Sequence, residues 1–196
     1  MNLNKSIKKN RLVLGSGSPR RLELLAQIGI KPDSIRSPNI DESFIKRELP
    51  TQYCMRMARQ KSDAIDVQDD EVLLTADTIV SMGRKIIGKP QTETQAREFL
   101  LMMSGRRHKV ITSVGVKHQD IYLERCVIST VKMKRIPNND LEAYISEGDW
   151  RGKAGGYGLQ GSAAAFVPWI QGSYSAIIGL PLAETSALLA AVGILS

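Results

Sequence analysis

Residues 16–21, with the sequence SGSPRR, constrain the fold more than any other stretch, because they predict a tight turn between a strand and a helix. The apolar residues 12–14 before the turn are typical of a buried strand. After the turn, apolar spacing predicts a helix face made of Leu22, Leu25 and Ala26. Gly29 is a typical stop for that helix, so the chain opens with a strand–turn–helix unit.

The same turn predicts a phosphate site. Ser18 is a favourable N-cap and Pro19 suits the first helical position, which places Arg20 and Arg21 in the first helical turn. Positive side chains there oppose the helix dipole, and an anion bound at the helix N-terminus removes the conflict. Free backbone N–H groups, the hydroxyls of Ser16 and Ser18 and two guanidinium groups would surround that anion. The turn matches neither a Walker nor a Rossmann motif, and a purely structural turn is the alternative.

Length and charge fit one domain with anionic partners. The chain has 196 residues and a formal net charge of +7. Residues 1–11 are polar and basic, so we expect a flexible basic tail there and a single domain over residues 12–196. Aromatic residues are few and do not alternate with Lys or Arg, so a nucleic-acid partner is not expected. No apolar run is long enough to cross a membrane, so no membrane partner is expected either.

The cysteines and histidines indicate the cellular compartment and argue against two kinds of site. Cys54 and Cys126 lie far apart and neither belongs to a CxxC pair, which is typical of a protein in a reducing cytoplasm. His108 and His118 have no Cys/His cluster around them, so a zinc site is not expected. Neither histidine accompanies the strand-to-helix serine of an acyl hydrolase.

Strand and helix patterns alternate along the rest of the chain. The patterns predict helices at 51–66, from Thr92 to Gly105, at 139–147 and at 181–192, strands at 72–80, 86–87, 110–116, 127–133 and 164–169, and a glycine-rich loop at 152–161. Interspersed elements of this kind predict an α/β fold with a mixed, elongated sheet and flanking helices. Two lobes around a central cleft would fit the length.

Two charged residues fall where the pattern predicts burial. Lys61 shares a helical stripe with Met57 and Ala58, and Asp77 interrupts the apolar strand at 72–80. A buried charge needs a partner, so Lys61 needs a counter-charge or a cavity. Asp77 either is a structural carboxylate with hydrogen-bond donors or holds a metal or a proton in a functional site.

Three further candidates have weaker local support. Lys89 lies between Gly88 and Pro90 at a strand exit, and Glu42 lies in a polar loop, so both could be ordinary solvated residues. Gln160 ends a loop rich in glycine, which suits either close backbone packing or the close approach of a flat ligand.

Taken together, these motifs resemble the Maf family of nucleotide pyrophosphatases, also called septum-formation inhibitor proteins. The similarity spans about residues 12–192. The motifs are SGSPRR at 16–21, Asp41-Glu42, Lys61 in its helix, ADT at 76–78, GKP at 88–90, SGRRHKVIT at 104–112, GKAGGYGLQG at 152–161 and GSYSAIIGLPL at 172–182. Three positions depart from the family pattern: Gly15 replaces the usual alanine, Asp149 a frequent glutamate and Ala176 a frequent asparagine.

The resemblance implies a two-lobed α/β fold related to inosine triphosphate pyrophosphatases. It also implies hydrolysis of a nucleoside triphosphate to the monophosphate and pyrophosphate, with a divalent metal (Mg²⁺ or Mn²⁺), and suggests a homodimer. Asp77 matches the catalytic acid/base position, and the other matching active-site positions are Ser16, Arg20, Glu42, Lys61 and Lys89. The positions that separate the subfamilies are Arg21, Thr78 and Gln160. The Asp-Thr pair resembles the branch that acts on dTTP and UTP, whereas the 7-methyl-GTP branch usually has Asp-Gln.

These residues permit a specific chemical hypothesis. Asp77 would activate a water molecule, and Asp77 with Glu42 would hold the metal. Lys61 and Lys89 would bind the β- and γ-phosphates, and the turn at 16–21 would cradle the phosphate chain. Gln160 could read a pyrimidine imide edge, with Thr78 lining the pocket. The alternatives are a nucleotide-binding regulator of septum formation without essential catalysis and, more remotely, a basic nucleic-acid-binding module.

Overall fold

The fold is built on one mixed β-sheet, seen in a computed structural model that describes residues 10–194. Within those residues the strands are β1 (Arg11–Leu14), β2 (Ser34–Ile35), β3 (Glu71–Met82), β4 (Lys85–Ile87), β5 (Arg107–His118), β6 (Ile121–Lys132) and β7 (Trp169–Gln171). The helices are α1 (Pro19–Gln27), α2 (Pro50–Asp63), α3 (Glu93–Met103), α4 (Asn138–Glu147), α5 (Tyr174–Ile178) and α6 (Leu182–Ala191). Two short 3₁₀ helices span Ala154–Gly156 and Ser162–Phe166.

The order of the strands leaves a gap along one edge of β3. The sheet runs β2-β1-β3-β5-β6-β7, with β1 parallel to both of its neighbours and β3, β5, β6 and β7 antiparallel. β5 covers one edge of β3, while β1 and then β4 pair with the other edge, at residues 71–74 and 80–82. Between these two pairings, residues 75–79 have no strand partner on that edge within the described chain. The gap leaves room for a ligand beside β3.

Two hydrophobic cores give the molecule two lobes. One core packs α3, α4 and the 3₁₀ segments against the far end of β3, and its largest buried side chains include Leu100, Tyr144 and Trp150. The second core packs α1 and α6 against β1, β3 and β5, with Leu25 and Leu189 fully buried. The expected α/β class with a mixed sheet, flanking helices and two lobes is confirmed. Among the described residues, no helix is both long and apolar enough to cross a membrane.

Most predicted elements are present, with small shifts of their ends. The helix predicted from Thr92, the strands at 72–80 and 86–87 and the two long central strands are all observed. Thr92 and Gln95 have the spacing of a capping box, which predicts two reciprocal hydrogen bonds at the start of this helix. Thr92 does accept from the backbone N–H of Gln95, but the Gln95 side chain accepts from the Gln91 N–H instead.

Two predictions about local structure are wrong, and two short elements were not predicted. Residues 164–169 are not a strand: the alanine-rich run forms the 3₁₀ helix Ser162–Phe166, and only Trp169–Gln171 pairs with β6. The short elements β2 and α5 were not predicted, because two and five residues carry too little periodicity. The buried face of α1 is Arg21, Leu24 and Leu25, while Ala26 is exposed.

The predicted basic tail, residues 1–11, falls mostly outside the described residues. Its last residue, Arg11, is the first residue of β1 and pairs with Asp70 and Glu71 at 3.1 and 3.3 Å. The single domain over residues 12–196 stays a prediction.

A buried carboxylate secures the start of β3. The Glu71 side chain is 1% exposed and accepts hydrogen bonds from both terminal nitrogens of Arg36, at 2.6 and 2.8 Å, and from the Gln68 backbone N–H at 3.1 Å. The Arg36 hydrogen bond and charge hold the pKa of Glu71 below its ordinary value despite burial. Because this pKa is depressed in the folded state, the stabilisation is present at neutral pH and is lost as the pH falls below about 4.5.

We therefore expect Glu71→Gln to lower the free energy of unfolding by about 2 kcal/mol at pH 7, because a charged, buried hydrogen-bond partner is lost. The difference from wild type should shrink as the pH is lowered toward 3 or so. Urea unfolding at both pH values measures it. Asp63→Asn, which breaks the exposed Arg59–Asp63 pair, is the control and should change stability by less than about 0.5 kcal/mol. Equal unfolding curves for Glu71→Gln and wild type would contradict this role.

Candidate active site

A cleft of about 830 Å³ lies at the open edge of β3, between the two lobes. Its size is in the range of small-molecule sites. The basic side chains that line it are Arg20, Arg21, Lys61, Lys89, Arg151 and Lys153, and the acidic ones are Glu23, Glu42, Asp77 and Asp149. The excess of positive charge suits an anionic ligand.

The floor of the cleft holds a lysine between two carboxylates. Lys61 lies on the buried face of α2, which turns its side chain toward β3. Its Nζ lies 2.5 Å from Oδ1 of Asp77 and 2.9 Å from Oε1 of Glu42. The Lys61 and Asp77 side chains are only 10% and 11% exposed. Each buried charge therefore has the partner that its burial requires.

Glu42 reaches this cluster from the loop before α2. The Tyr53 hydroxyl on α2 donates a 2.8 Å hydrogen bond to the Glu42 carbonyl, which anchors the loop. Partial burial raises the pKa of Glu42, but the hydrogen bond and charge of Lys61, with the charges of Lys89 and Arg21, outweigh it and leave the pKa below 4.5. Glu42 is therefore ionised at neutral pH. The exposed Lys89 ammonium lies 3.9 Å from Oε2 of Glu42.

Arg21 points into the protein, which differs from the expected cradle of two arginines around one anion. Its side chain is buried because the first turn of α1 directs it beneath the turn at 16–21. Nε donates to the Gly179 carbonyl at 2.9 Å and Nη1 donates to the Ser16 hydroxyl at 2.7 Å. Burial lowers the pKa of Arg21, and the charge of Asp77 opposes that shift. Within residues 10–194, Nη2 has no partner and remains available to a ligand.

The contacts of Ser16 decide what its hydroxyl can do. The oxygen accepts from Arg21 and from the Ser18 backbone N–H, at 2.7 and 3.3 Å. Two accepted bonds use both lone pairs, so the Ser16 proton is left to donate to a ligand oxygen. Ser18 occupies the N-cap position of α1 but makes no side-chain capping bond. Both hydroxyls therefore fit an anion at this helix start.

Two contacts cross the cleft between α1 and the glycine-rich loop. Arg20 Nη2 donates to the Gly152 carbonyl at 3.3 Å, and Gln160 Nε2 donates to Glu23 at 3.4 Å. Both lie in exposed surroundings and are long, so a ligand entering between the lobes can replace them.

An ion pair shapes the glycine-rich loop. Lys153 Nζ contacts both the carboxylate and the backbone carbonyl of Asp149. A Cβ atom at Gly161 would lie 2.3 Å from Oδ2 of Asp149, so only glycine fits there. The aspartate at position 149, where a glutamate is frequent in the family, therefore has a specific partner in Lys153.

Both histidines have structural partners. His108 Nε2 lies 2.6 Å from the Tyr157 hydroxyl, and burial lowers its pKa to about 4, so the ring is neutral. His118 Nδ1 lies 3.0 Å from the Glu71 carbonyl. No group of three or more His, Cys, Asp or Glu side chains able to hold a metal occurs in the described part of the chain.

All nine predicted site residues line this one cleft: Ser16, Arg20, Arg21, Glu42, Lys61, Asp77, Thr78, Lys89 and Gln160. Sequence analysis assigned no role to Thr112, which contacts Thr78 from behind the cleft wall, or to Gly179, which lines the cleft and whose carbonyl lies 3.5 Å from the Thr78 hydroxyl. For Thr112, the signal in the sequence was a polar residue at a core-facing position of the strand β5. Lys153 and Arg151 were also missed, because lysine and arginine in a loop are normally solvated.

The fold and cleft define an α/β protein with a cationic, nucleotide-sized site at a gap in its sheet. The family model described as Maf-like protein matches residues 11–192, and the chain belongs to this family.

Curated relatives match nearly the whole chain. A protein of Ruegeria sp. (strain TM1040) named dTTP/UTP pyrophosphatase is 56% identical over 181 residues, covering 92% of this chain and 94% of the relative. A protein of Anaplasma marginale (strain Florida) named nucleoside triphosphate pyrophosphatase is 52% identical over 185 residues, covering 93% and 94%. Among solved structures, a HAM1 protein from Coxiella burnetii aligns with a TM-score of 0.45 and 14% identity, over 66% of this chain and 75% of that one.

Gly15, the other departure at the cleft, is required by a close contact. An added Cβ would lie 2.7 Å from Cγ2 of Thr75 and 3.0 Å from the ends of Ile65 and Leu73. We expect Gly15→Ala to lower the free energy of unfolding by about 1–3 kcal/mol through overpacking. Combining it with Thr75→Ser, which removes that methyl group, should recover part of the loss. Thermal unfolding of the four proteins measures this coupling, and strictly additive effects would contradict it.

Proposed function

We propose that this protein hydrolyses dTTP and UTP to the monophosphate and pyrophosphate. The main support is the geometry at the floor of the cleft, where the Lys61 ammonium lies within 2.9 Å of both Asp77 and Glu42. Further cationic side chains line the cleft around this cluster. Relatives that match over 90% of the chain carry the names dTTP/UTP pyrophosphatase and nucleoside triphosphate pyrophosphatase, which supports this proposal.

The cationic side chains would bind the triphosphate. Lys89 is exposed at one wall, and Arg21 offers Nη2 from below. The Ser16 hydroxyl retains a proton for a phosphate oxygen, and the turn above α1 supplies backbone N–H groups. Fixed donors of this kind lower the barrier by stabilising the charge that builds up on the leaving pyrophosphate.

Asp77 is placed to accept the proton of the attacking water. Oδ1 accepts the 2.5 Å hydrogen bond from Lys61, whereas Oδ2 has no partner within residues 10–194. The water oxygen would form a bond to the α-phosphorus, the bond from that phosphorus to the bridging oxygen would break, and the proton would pass to Oδ2. Lys61 orients the carboxylate for this transfer, which makes it a positioning residue as well as a phosphate ligand.

The two carboxylates also fit a divalent metal. Glu42 and Asp77 each direct one oxygen at the Lys61 ammonium, so a metal ion held between the same two carboxylates would require that ammonium to turn toward the phosphates. Mg²⁺ and Mn²⁺ accept a few carboxylate oxygens together with phosphate oxygens and water, and need no histidine or cysteine. Glu42 and Asp77 would hold the ion. When bound, it would supply charge neutralisation and polarisation of the phosphate.

Removal of the Asp77 charge tests the proposed base. We expect Asp77→Asn to lower kcat/KM for UTP by at least about 100-fold, since an amide cannot accept the proton. Pyrophosphate release measures it. Asp63→Asn, a surface carboxylate on α2, should match wild type. Turnover of Asp77→Asn near the wild-type rate, in a variant that unfolds at the wild-type temperature, would remove Asp77 from the chemistry.

Chelation tests the metal. We expect EDTA to abolish pyrophosphate release and added Mg²⁺ or Mn²⁺ to restore it, because two carboxylates and a triphosphate repel one another without a bridging cation. Glu42→Gln should require a higher metal concentration for half-maximal activity. Undiminished pyrophosphate release in EDTA would show that the lysines and arginines neutralise the triphosphate without a metal.

A nucleotide panel separates the proposal from its alternatives. Pyrophosphate release from dTTP and UTP supports it, and release mainly from 7-methyl-GTP would assign the other branch. Tight nucleotide binding without any product would instead support a regulator that senses nucleotides.

A further inference from the structure

Beside the charged floor, the cleft has an apolar wall with one polar residue at its border. The wall includes Val80, Val110 and Ile177, all buried or nearly so. Thr78 precedes Val80 by two positions on β3 and therefore lies on the same face of the sheet. A flat base packs against apolar groups, and a polar atom at their border reads the base edge. Thr78 is the residue so placed.

Thr112 backs Thr78 from inside the protein. The two residues are directly opposite each other on β5 and β3, and Thr112 is fully buried. Its hydroxyl lies 2.7 Å from the Ala176 carbonyl and 3.0 Å from Oγ1 of Thr78. Because a carbonyl can only accept, the single Thr112 proton is donated to Ala176, and the Thr112 oxygen is left to accept the Thr78 proton.

The Thr78 proton also has a second, more distant acceptor inside the protein. Its oxygen lies 3.5 Å from the Gly179 carbonyl, which Arg21 Nε also binds at 2.9 Å. Gly179 has φ +140°, a backbone conformation that side-chain-bearing residues rarely adopt. This backbone turn aims the carbonyl at both side chains. With its proton held on the protein side by these acceptors, Thr78 presents lone pairs to the cleft.

We propose that Thr112 is a specificity-positioning residue, which holds Thr78 as a hydrogen-bond acceptor so that the cleft favours a pyrimidine whose ring nitrogen carries a hydrogen. Uracil and thymine have an N3–H donor, whereas N3 of cytosine is an acceptor and would face a lone pair. This inference rests on the proposed function, from which its nucleotide substrates are taken. It assigns to Thr112, which touches no ligand, the discrimination between UTP and CTP.

The test is the ratio of kcat/KM for UTP to that for CTP, measured by pyrophosphate release. Thr112→Val keeps the shape but removes the hydroxyl that holds the Thr78 proton, so Thr78 is free to turn its proton toward the cleft. We expect the ratio to fall about tenfold, the worth of one mismatched hydrogen bond. Thr112→Ser retains the hydroxyl and should keep the wild-type ratio.

Thr75→Val is the matched control. Thr75 is a fully buried threonine on β3, and its hydroxyl donates to the Ala58 carbonyl at 3.0 Å, away from Thr78. A structural effect alone would lower activity on both nucleotides in both valine variants without changing the ratio. An unchanged ratio in Thr112→Val, or an equal change in Thr75→Val, overturns the inference.

Failure of the proposed function has a different signature. In that case wild type releases pyrophosphate from no nucleotide, and the dissociation constants for UTP and CTP, measured by calorimetry on the same variants, replace the rates. A binding ratio that falls only in Thr112→Val supports the positioning role, and one that does not move overturns it.

Discussion

The contact between Lys61 and Asp77 is the interaction on which the site depends. A helix side chain and a strand side chain, both about nine-tenths buried, neutralise each other at 2.5 Å. Removing Lys61 would leave the Asp77 carboxylate as an unpaired charge in the interior, which costs far more than the pair itself contributes. Because Glu42 binds the same ammonium, the loop before α2 is tied to the sheet through one nitrogen atom. A ligand that draws Lys61 toward phosphate changes the environment of both carboxylates together.

The gap in the sheet explains why such a charged cluster can exist beside two apolar cores. Where β1 ends and β4 has not yet begun, the edge of β3 faces the cleft instead of a strand. Side chains on opposite faces of β3, such as Asp77 and Thr78, therefore both reach one cavity. Charged chemistry lies toward α2 and the apolar wall lies toward α5. The alternation of a single strand thus separates a phosphate-binding side from a base-binding side.

The sequence predicts those parts of the site in which a charged residue interrupts an apolar helix or strand pattern. Lys61 on an apolar helix stripe and Asp77 in an apolar strand stood out because burial of a charge needs a reason. Thr112 did not stand out, because a threonine satisfies a strand pattern whether or not its hydroxyl has a role. The inward direction of Arg21 could not be read either, since it depends on the Gly179 carbonyl, 158 positions away in the chain. The strand expected at 164–169 failed because an alanine-rich run has no period that separates strand from 3₁₀ helix.

Two positions that depart from the family pattern show how the surrounding structure accommodates a changed side chain. At Gly15, the missing methyl group makes room for Thr75, whose own hydroxyl binds α2 through the Ala58 carbonyl. At Ala176, an asparagine side chain is absent, but the backbone carbonyl is the group that Thr112 uses. The Ala176 contact runs through the backbone and does not depend on the side chain, whereas the Gly15 position depends on its neighbour, because the Thr75 methyl group fills the space that an alanine would need. The charged groups of the cleft floor have no such substitute, because no backbone atom carries a full charge. The wall of the cleft can therefore change where a backbone contact or a compensating neighbour allows it, while its floor must keep both signs of charge.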